Sequence, residues 1–413
     1  MNISTFKAFK NRNYRLFFSG QSASMIGTWM QRTAVYWVIY DKTHSAFMLG
    51  IAVFAIQFPS FLFSLIGGVV ADRHDRYRVL LITQIASMIQ AVLLTLVVIF
   101  THYSVIEILV LSILLGIINA FDVPARQSLV HQLVDNEDDL GNAIALNSSM
   151  NNLARLLGPA ISGIVLDKLG AGVCFMMNAL SFVAVISSLL MMRLPAYIPQ
   201  AKPQKAMLEL KEGLNYLKST PSLNRLILLI ALCSFLVIPY ITLLPIIAKT
   251  TLHGNASTYG LLNSFTGIGA ISGAIVLASL RTHVNLKKAL IVATIILGIG
   301  LILFSQAHSL WPALFFAIIA GFGMMSHSTL VNTLLQTTAS PEMRGRVVSY
   351  FAMAFFGMQP LGALLIGSVS HYAGTQVTIL LQGTAALVIV ILFFPYLWQK
   401  RTLFPRKVRH RFC

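Results

Sequence analysis

The sequence predicts an all-α integral membrane protein with twelve transmembrane helices, arranged as two six-helix bundles related by a parallel pseudo-two-fold repeat. Three observations predict it: a composition poor in charge, twelve long apolar stretches, and an internal repeat. Hydrophobic residues make up 56% of the 413 residues and charged residues only 10%, whereas roughly a quarter of a soluble domain is charged. So little polar surface would not solvate a water-soluble protein of this length.

Each apolar stretch is long enough to cross a bilayer, because about 20 mostly apolar residues span ~30 Å of hydrocarbon. The stretches form two sets of six around a polar segment. The predicted spans are 14–40, 47–71, 79–100, 105–123, 142–166, 172–192, 223–248, 258–280, 289–306, 311–334, 347–370 and 377–398. The predicted domains are an N-terminal bundle at 1–194, a linker with an amphipathic helix at 195–222, a C-terminal bundle at 223–398 and a basic tail at 399–413.

The net charge of +17 could indicate nucleic-acid binding, but the basic residues lie between the spans. With the N-terminus in the cytoplasm, most of them fall in cytoplasmic segments, and the positive-inside rule then places both termini there. We therefore expect a multi-pass protein of a bacterial inner membrane that attracts anionic lipid at its cytoplasmic face. No nucleic-acid partner is expected.

The two halves are predicted to be copies. A shift of the chain by 204 residues places Gln132 on Gln336, Gly141 on Gly345, Gly158 on Gly362 and Gly163 on Gly367. Parallel repeats place a substrate pathway between the halves and alternate its access by rocking them. Taken singly, each glycine is also explained by close helix packing in lipid.

The loop between spans two and three carries a resemblance. It reads Gly68-Val-Val-Ala-Asp72-Arg73-His-Asp-Arg76-Tyr-Arg78 and resembles the signature loop of the major facilitator superfamily, with Asp75 where that pattern has glycine. The resemblance implies that these residues hold the cytoplasmic side closed when the outside is open. We expect Asp72 to complement the positive N-terminal end of span eleven near Arg346. Alternatively, the arginines only set topology.

A second stretch resembles the enterobactin exporter and macrolide efflux branch of that superfamily. It runs from Asp122-Val-Pro124-Ala-Arg126 to Gly158-Pro159-Ala-Ile-Ser-Gly163. The Gly-Pro element, Gly158, Pro159 and Gly163, is similar to the motif associated with exporters, although Ser162 stands where that motif has its second terminal glycine. The resemblance implies export by proton antiport.

Charged side chains inside a membrane are costly and are functional-site hypotheses by default. Arg155 lies near the middle of span five, and Asn147 and Asn151 precede it at four-residue steps on one helical face. The planar fork of Arg155 suits carboxylate, catecholate or phosphate oxygens, but Arg155 could equally support a neighbouring helix. Gln359 holds the repeat-equivalent position. Aromatic and methionine residues are predicted to complete a cavity wall or to be core: Trp29, Trp37, Phe54, Phe58, Met150, Tyr240, Phe265, Met324, Tyr350, Phe355 and Phe356.

Two further groups are candidates for coupling and binding. Arg32 in span one and Glu107 in span four are predicted to form an outer gate or a proton-linked switch. The alternative is a rim salt bridge or two snorkelling side chains. No carboxylate is predicted near a span centre, since Asp41 and Asp122 are placed at span ends as solvated or capping residues. The proton-coupling candidates are therefore Glu107, Asp41 and His327, unless the substrate itself carries the proton. A hydrogen-bonded structural histidine is the alternative for His327.

The sequence lacks the motifs that would indicate other classes of function. The sequence has no HExxH, no CxxC and no Gly-Lys of a phosphate loop, so no enzyme, metal site or cofactor is predicted. A channel is disfavoured by the repeat. We predict a monomeric secondary exporter of a small organic solute, with an anionic, siderophore-like substrate as first choice. Multidrug or macrolide efflux, or lysolipid transport, is the alternative.

Overall fold

The computed structural model describes residues 3–134, 137–194, 206–279 and 284–398, and these ranges are helical without a strand. A 3-10 helix, Ile3–Lys10, precedes thirteen α-helices. They are α1 Arg12–Thr43, α2 Ala46–Arg73, α3 Arg76–Phe100, α4 Val105–Val130, α5 Glu137–Leu169, α6 Ala171–Leu190, α7 Ala206–Ser219, α8 Pro221–Leu236, α9 Ala256–Ala278, α10 Leu286–Ser305, α11 Leu310–Thr338, α12 Arg344–Ala373 and α13 Thr375–Trp398. Helices α1–α6 and α8–α13 form the two predicted bundles.

Ten of the described helices are long and apolar enough to cross a membrane, counting 221–251 as one span. The two long helices outside this set are α1 and α5. Both carry polar residues within the bundle, such as the buried Gln21 and Gln31 of α1 and the cavity-lining Asn151 and Arg155 of α5. Helices α1 and α5 therefore have the lowest hydropathy because their polar side chains face the protein interior or the cavity rather than lipid.

The repeat is visible in the backbone. His44 and His253, with φ of 48° and 50°, occupy the same turn after the first span of each half, and Gly170 and Gly374, both with φ of 83°, occupy the turn after the fifth. These are all the left-handed residues among those described. Two copies of one chain path explain why rare backbone angles recur in pairs.

The halves meet along two equivalent seams, α5 against α9 and α2 against α12. A Cβ atom on Gly163 would lie 3.1 Å from the Cα of Gly260, and a Cβ atom on Gly367 would lie 3.2 Å from the Cα of Gly50. Glycine is needed at these positions because a side chain would force the helices apart. The predicted glycines thus serve close contact between halves.

Gly158 and Gly362 serve contacts inside each half. A Cβ atom on Gly158 would lie 2.5 Å from the Cβ of Trp29 in α1, and one on Gly362 would lie 2.2 Å from the carbonyl oxygen of Phe235 in α8. Each glycine therefore lets the fifth helix of its half approach the first.

Two span predictions are wrong in detail. The seventh span is not one helix, because after α8 it continues as a 3-10 segment, Ile238–Leu243, and ends in a π-turn, Ile247–Thr251. Pro239 and Pro245 lie in this segment, and proline lacks the N–H group that an α-helix requires. Helix α4 also runs seven residues past the predicted end at 123, which places Arg126 in the same helix as Asp122.

The linker contains the predicted helix, α7, and it packs against α12. Glu212 forms an ion pair with Arg346 at 2.6 Å, the hydroxyl of Tyr216 accepts a hydrogen bond from Ser340 N at 3.1 Å, and Leu217 is buried. We call the end of the molecule that carries α7 the linker end and the opposite end the far end. The predicted linker boundary at 195 and the tail at 399–413 lie outside the described residues.

Candidate functional site

A cavity of about 1890 Å³ lies between the two halves. Its wall comes from α1, α2, the start of α3, α4 and α5 on one side and from the 238–242 segment, α9, α11 and α12 on the other. The lining residues at the linker end include Asp72, Arg73 and Glu342, which are exposed. The cavity is therefore open to solvent at the linker end.

Contacts between the halves close the far end. Asp41 of α1 forms an ion pair with Lys249 of the π-turn, and the rings of Trp37 and Tyr259 stack with centroids 6.0 Å apart. Ser264 Oγ donates a hydrogen bond to the carbonyl of Leu156 at 2.9 Å. An ion pair, two stacked rings and a hydrogen bond thus hold the two halves together at the far end of the cavity.

Two arginines meet at one tryptophan on the cavity wall. The Cζ atoms of Arg32 and Arg155 lie 5.3 Å and 6.0 Å from the ring centroid of Trp29, within the range of a cation–π interaction. Arg32 Nε also donates a hydrogen bond to the hydroxyl of Tyr36 at 3.0 Å. Among described residues, no carboxylate forms a salt bridge with either arginine. Two guanidinium groups are therefore available to an anion.

The charged residues that line the cavity are mostly positive. Six arginines line it against two acids, Asp72 and Glu342. The arginines are Arg32, Arg73, Arg76, Arg126, Arg155 and Arg346. An excess of one charge in a cavity raises the local concentration of ligands of opposite charge.

The predicted pair between Arg32 and Glu107 is wrong. Glu107 closes a capping box with Ser104 at the start of α4 and is exposed, while Arg32 faces the aromatic rings of α1. A carboxylate three residues into a helix is drawn to the N-cap amide. The ion pair that the structure shows at the far end is instead that of Asp41 with Lys249.

The other predicted binding residues divide into two groups. Asn151 and Gln359 line the cavity with Arg155. Asn147 is half-buried one turn before them, outside the lining. Tyr240 is wholly buried in the 3-10 segment, behind the wall. Of the predicted aromatic wall, Trp29, Met324, Tyr350, Phe355 and Phe356 line the cavity.

The placement of Asp122 as a solvated span-end residue is wrong. Its side chain is buried in α4, where it accepts hydrogen bonds from Gln84 Nε2 at 2.6 Å and Thr83 Oγ1 at 3.1 Å. Arg126, one turn later, pairs with it at 3.5 Å and also lines the cavity. The four-residue spacing of Asp122 and Arg126 was the available signal, but the predicted end of span four hid it.

The predicted proton-coupling residues do not line the cavity. His327 of α11 is wholly buried, and its Nδ1 forms a hydrogen bond of 2.7 Å with Thr294 Oγ1. Asp41 and Glu107 are exposed at the far end. Among acids whose side chains the structure describes, Asp122 is the buried one.

The signature loop lies at the mouth of the cavity. The loop residues that line the cavity are Gly68, Asp72, Arg73 and Arg76. Pro159 of α5 also lines the cavity. Asp75 caps α3 with a φ of −60° and pairs with Arg78 at 3.5 Å, so the loop turns without the glycine of the family pattern.

The expected contact of Asp72 with the start of α12 is not made in this open form. Met343 is the N-cap there, without a side-chain hydrogen bond, and Arg346 pairs with Glu212 of the linker helix instead. Both Asp72 and Arg346 line the cavity, Asp72 from the N-terminal half and Arg346 from the C-terminal half.

The chain matches a family of known proteins over nearly its whole length. The sequence model of the family described as "Transmembrane secretion effector" matches residues 3–402. Similar curated proteins include the Staphyloferrin A transporter of Staphylococcus aureus, 27% identical over 92% of this chain and 95% of that protein. Others are Macrolide efflux protein A of Streptococcus pyogenes, 23% identical over 92% and 96%, and Enterobactin exporter EntS of Citrobacter koseri, 25% identical over 97% and 95%.

Solved structures share the fold. A bacterial homologue of the human lysosomal transporter Spinster superposes with a TM-score of 0.75 and covers 94% of this chain and 97% of its own. The two sequences are 15% identical, so the similarity concerns the arrangement of helices.

Proposed function

Since the chain belongs to the Transmembrane secretion effector family of major facilitator transporters, we propose that it exports a small organic anion through the central cavity by alternating access. Arg32 and Arg155 beside Trp29 carry this proposal, because they offer two cation–π-supported guanidinium groups without a carboxylate. A substrate with carboxylate or catecholate oxygens would satisfy both by charge-assisted hydrogen bonds. The Staphyloferrin A and enterobactin relatives support a siderophore-like substrate.

The difference between the two ends of the cavity supports alternating access. The linker end is open, whereas the far end is held by the Asp41–Lys249 pair and the glycine seams. With the linker end in the cytoplasm, this form loads substrate from inside the cell. Release then requires the far-end contacts to break and Asp72 to approach the start of α12.

Protons are the proposed coupling ion, and we assign their binding to Asp122 rather than to Glu107, Asp41 or His327. The charged carboxylate holds Arg126. A proton on Asp122 would release Arg126, which lines the cavity. Protonation and substrate occupancy are then linked through one guanidinium group.

A bulky drug is the second candidate. Aromatic and sulfur-containing side chains line much of the cavity, namely Trp29, Phe61, Met324, Tyr350, Phe355 and Phe356, and aromatic faces suit a large, partly apolar solute. The similarity to Macrolide efflux protein A supports it. No observation favours the lysolipid alternative.

Saturable counterflow in proteoliposomes tests the proposal. With a polycarboxylate siderophore, Arg155→Ala should reduce counterflow ten- to a hundredfold, because a hydrogen bond to a charged group contributes about 1.5–3 kcal/mol. Gln359→Ala, the repeat-equivalent change, should reduce it less than threefold. If folded Arg155→Ala and Arg32→Ala proteins both carry the acid normally, the anion proposal is wrong. Macrolide counterflow in the same vesicles would then identify the second candidate.

A further inference from the structure

Three cations meet two aromatic rings at the linker end of the C-terminal half. Arg225 lies in the first turns of α8, and Lys287 and Lys288 lie at the start of α10. The Cζ of Arg225 and the Nζ of Lys287 lie 5.3 Å and 4.4 Å from the ring centroid of Tyr396, and the Nζ of Lys288 lies 4.8 Å from that of Trp398. We call these five residues the Tyr396 cluster.

No acidic side chain that the structure describes pairs with the Tyr396 cluster. From position 221 to the C-terminus the sequence contains a single acidic side chain, Glu342, and that residue lines the central cavity. None of the salt bridges between described residues includes Arg225, Lys287 or Lys288. Two of these positive charges share one ring, where their mutual repulsion favours an added anion.

The N-terminal half shows how the repeat balances the same corner. Asp75 caps α3, the third helix of its half, and its carboxylate pairs with Arg78 at 3.5 Å. Asn285 caps the third helix of the other half and accepts hydrogen bonds from Lys287 N and Lys288 N at 3.1 and 3.3 Å. The N-cap of the third helix therefore has the same geometry in both halves but a different charge. Because the cap is an amide rather than a carboxylate, it does not neutralise the positive charges of the two lysines.

The surroundings of the cluster place it beside lipid. The hydroxyl of Tyr396 donates a hydrogen bond to the carbonyl of Ser222 at 3.0 Å, which fixes its buried ring. Trp398 and Phe394 stack with centroids 5.2 Å apart and are 55% and 41% exposed. Exposed aromatic rings at the end of a spanning helix are typical of the membrane–water interface.

We propose that the Tyr396 cluster binds the phosphate of an anionic phospholipid headgroup in the leaflet at the linker end. Arg225, Lys287 and Lys288 supply charge-assisted donors to the phosphate oxygens. Asn285 already caps the first amides of α10, so side chains make the contact. The acyl chains would lie along the exposed apolar face of α13, where Ile391 and Leu392 are 70% and 67% exposed.

Native mass spectrometry of the full-length protein in detergent tests this site, with phosphatidylglycerol, phosphatidylcholine and inorganic phosphate as probes. The protein should bind phosphatidylglycerol in preference to phosphatidylcholine. Asn285→Asp should weaken that binding about fivefold, since one charge near such a surface contributes about 1 kcal/mol. Lys287→Gln with Lys288→Gln should weaken it further.

A matched control separates this site from overall charge. Lys42→Gln with Lys168→Gln removes the same charge at the far end and should leave phosphatidylglycerol binding unchanged. Asn285→Asp should retain its fold because aspartate caps a helix as well as asparagine, which thermal unfolding will check. Unchanged phosphatidylglycerol binding in Asn285→Asp and in the double lysine variant would overturn the proposal. Displacement of the lipid by equimolar inorganic phosphate would overturn the lipid assignment in favour of a soluble anion.

Discussion

The two halves share one backbone plan but bury very different side chains. In the N-terminal half, Gln31 Nε2 donates to Gln90 Oε1 at 2.9 Å and Asn178 Nδ2 donates to Gln31 Oε1 at 2.8 Å, and a second network surrounds Asp122 and Arg126. In the described part of the C-terminal half, the long-range buried side-chain hydrogen bonds include the pair of Thr294 with His327 and one from Gln382 Nε2 to the carbonyl of Val237. All six spans of that half are apolar enough to cross a membrane, whereas α1 and α5 of the other half are not.

This difference shows that the symmetric contacts between the halves and the charged groups of the cavity lie in separate parts of the molecule. The seams are symmetric, since Gly163 meets Gly260 as Gly367 meets Gly50. The cavity is asymmetric, because Arg155 of α5 corresponds to Gln359 of α12. We infer that the shared backbone provides the rocking motion, while the N-terminal half provides charge recognition and coupling.

The largest expected effect tests where coupling resides. Asp122→Asn keeps the size of the side chain but cannot titrate, so transport driven by a pH gradient should be abolished. Counterflow, which needs no net proton movement, should persist. Proteoliposomes with an imposed pH gradient measure both, and the direction of proton movement relative to the substrate is measured in the same vesicles.

His327→Gln is the matched change in the other half. It should leave pH-driven transport within about twofold of the unaltered protein, because His327 is buried away from the cavity. If His327→Gln abolishes pH-driven transport while Asp122→Asn retains it, coupling does not reside in the N-terminal half. The group that binds the proton would then lie in the C-terminal half.

A smaller effect is expected at the symmetric seams. Gly163→Ala places a Cβ atom 2.8 Å from the carbonyl oxygen of Ala256, so α5 and α9 must separate when the far end closes. Overpacking costs about 1–3 kcal/mol, and counterflow should fall roughly tenfold. Gly367→Ala should cause the same loss, because its Cβ atom would lie 2.7 Å from the carbonyl oxygen of Ala46.

Gly141→Ala is the control for the seams, because no atom lies within 4 Å of its added Cβ, and counterflow should be unchanged. Unequal losses in Gly163→Ala and Gly367→Ala would show that the two seams are not mechanically equivalent.

The smallest effect concerns the linker. Glu212→Gln removes the ion pair with Arg346, whose side chains are 48% and 30% exposed, and exposed pairs contribute about 0.2–1 kcal/mol. Initial export rates should change less than fivefold, and they should rise if Glu212 competes with Asp72 for Arg346. Lys218→Gln on the same helix is the control. A loss comparable to that of Asp122→Asn would give the linker a larger role than its contacts indicate.

Several features of the candidate site were predictable because they depend on local sequence. Arg32, Arg155, Asn151 and Gln359 are polar residues in apolar spans, and lipid leaves such side chains only the protein interior. Asp122 was not predictable by the same argument. Hydropathy ends a span where apolar residues end, whereas α4 continues through Pro124 to Val130.

The sequence by itself determined the spans, the six-plus-six repeat and the membrane class, because each follows from hydropathy and from identities at a fixed offset. Only the tertiary structure decided the partners: Glu107 caps its own helix, Asp41 pairs with Lys249 of the other half at the far end, and Arg346 pairs with Glu212 of the linker helix. The physical reason is that helical periodicity determines which residues share a face. It does not determine which neighbouring helix that face meets.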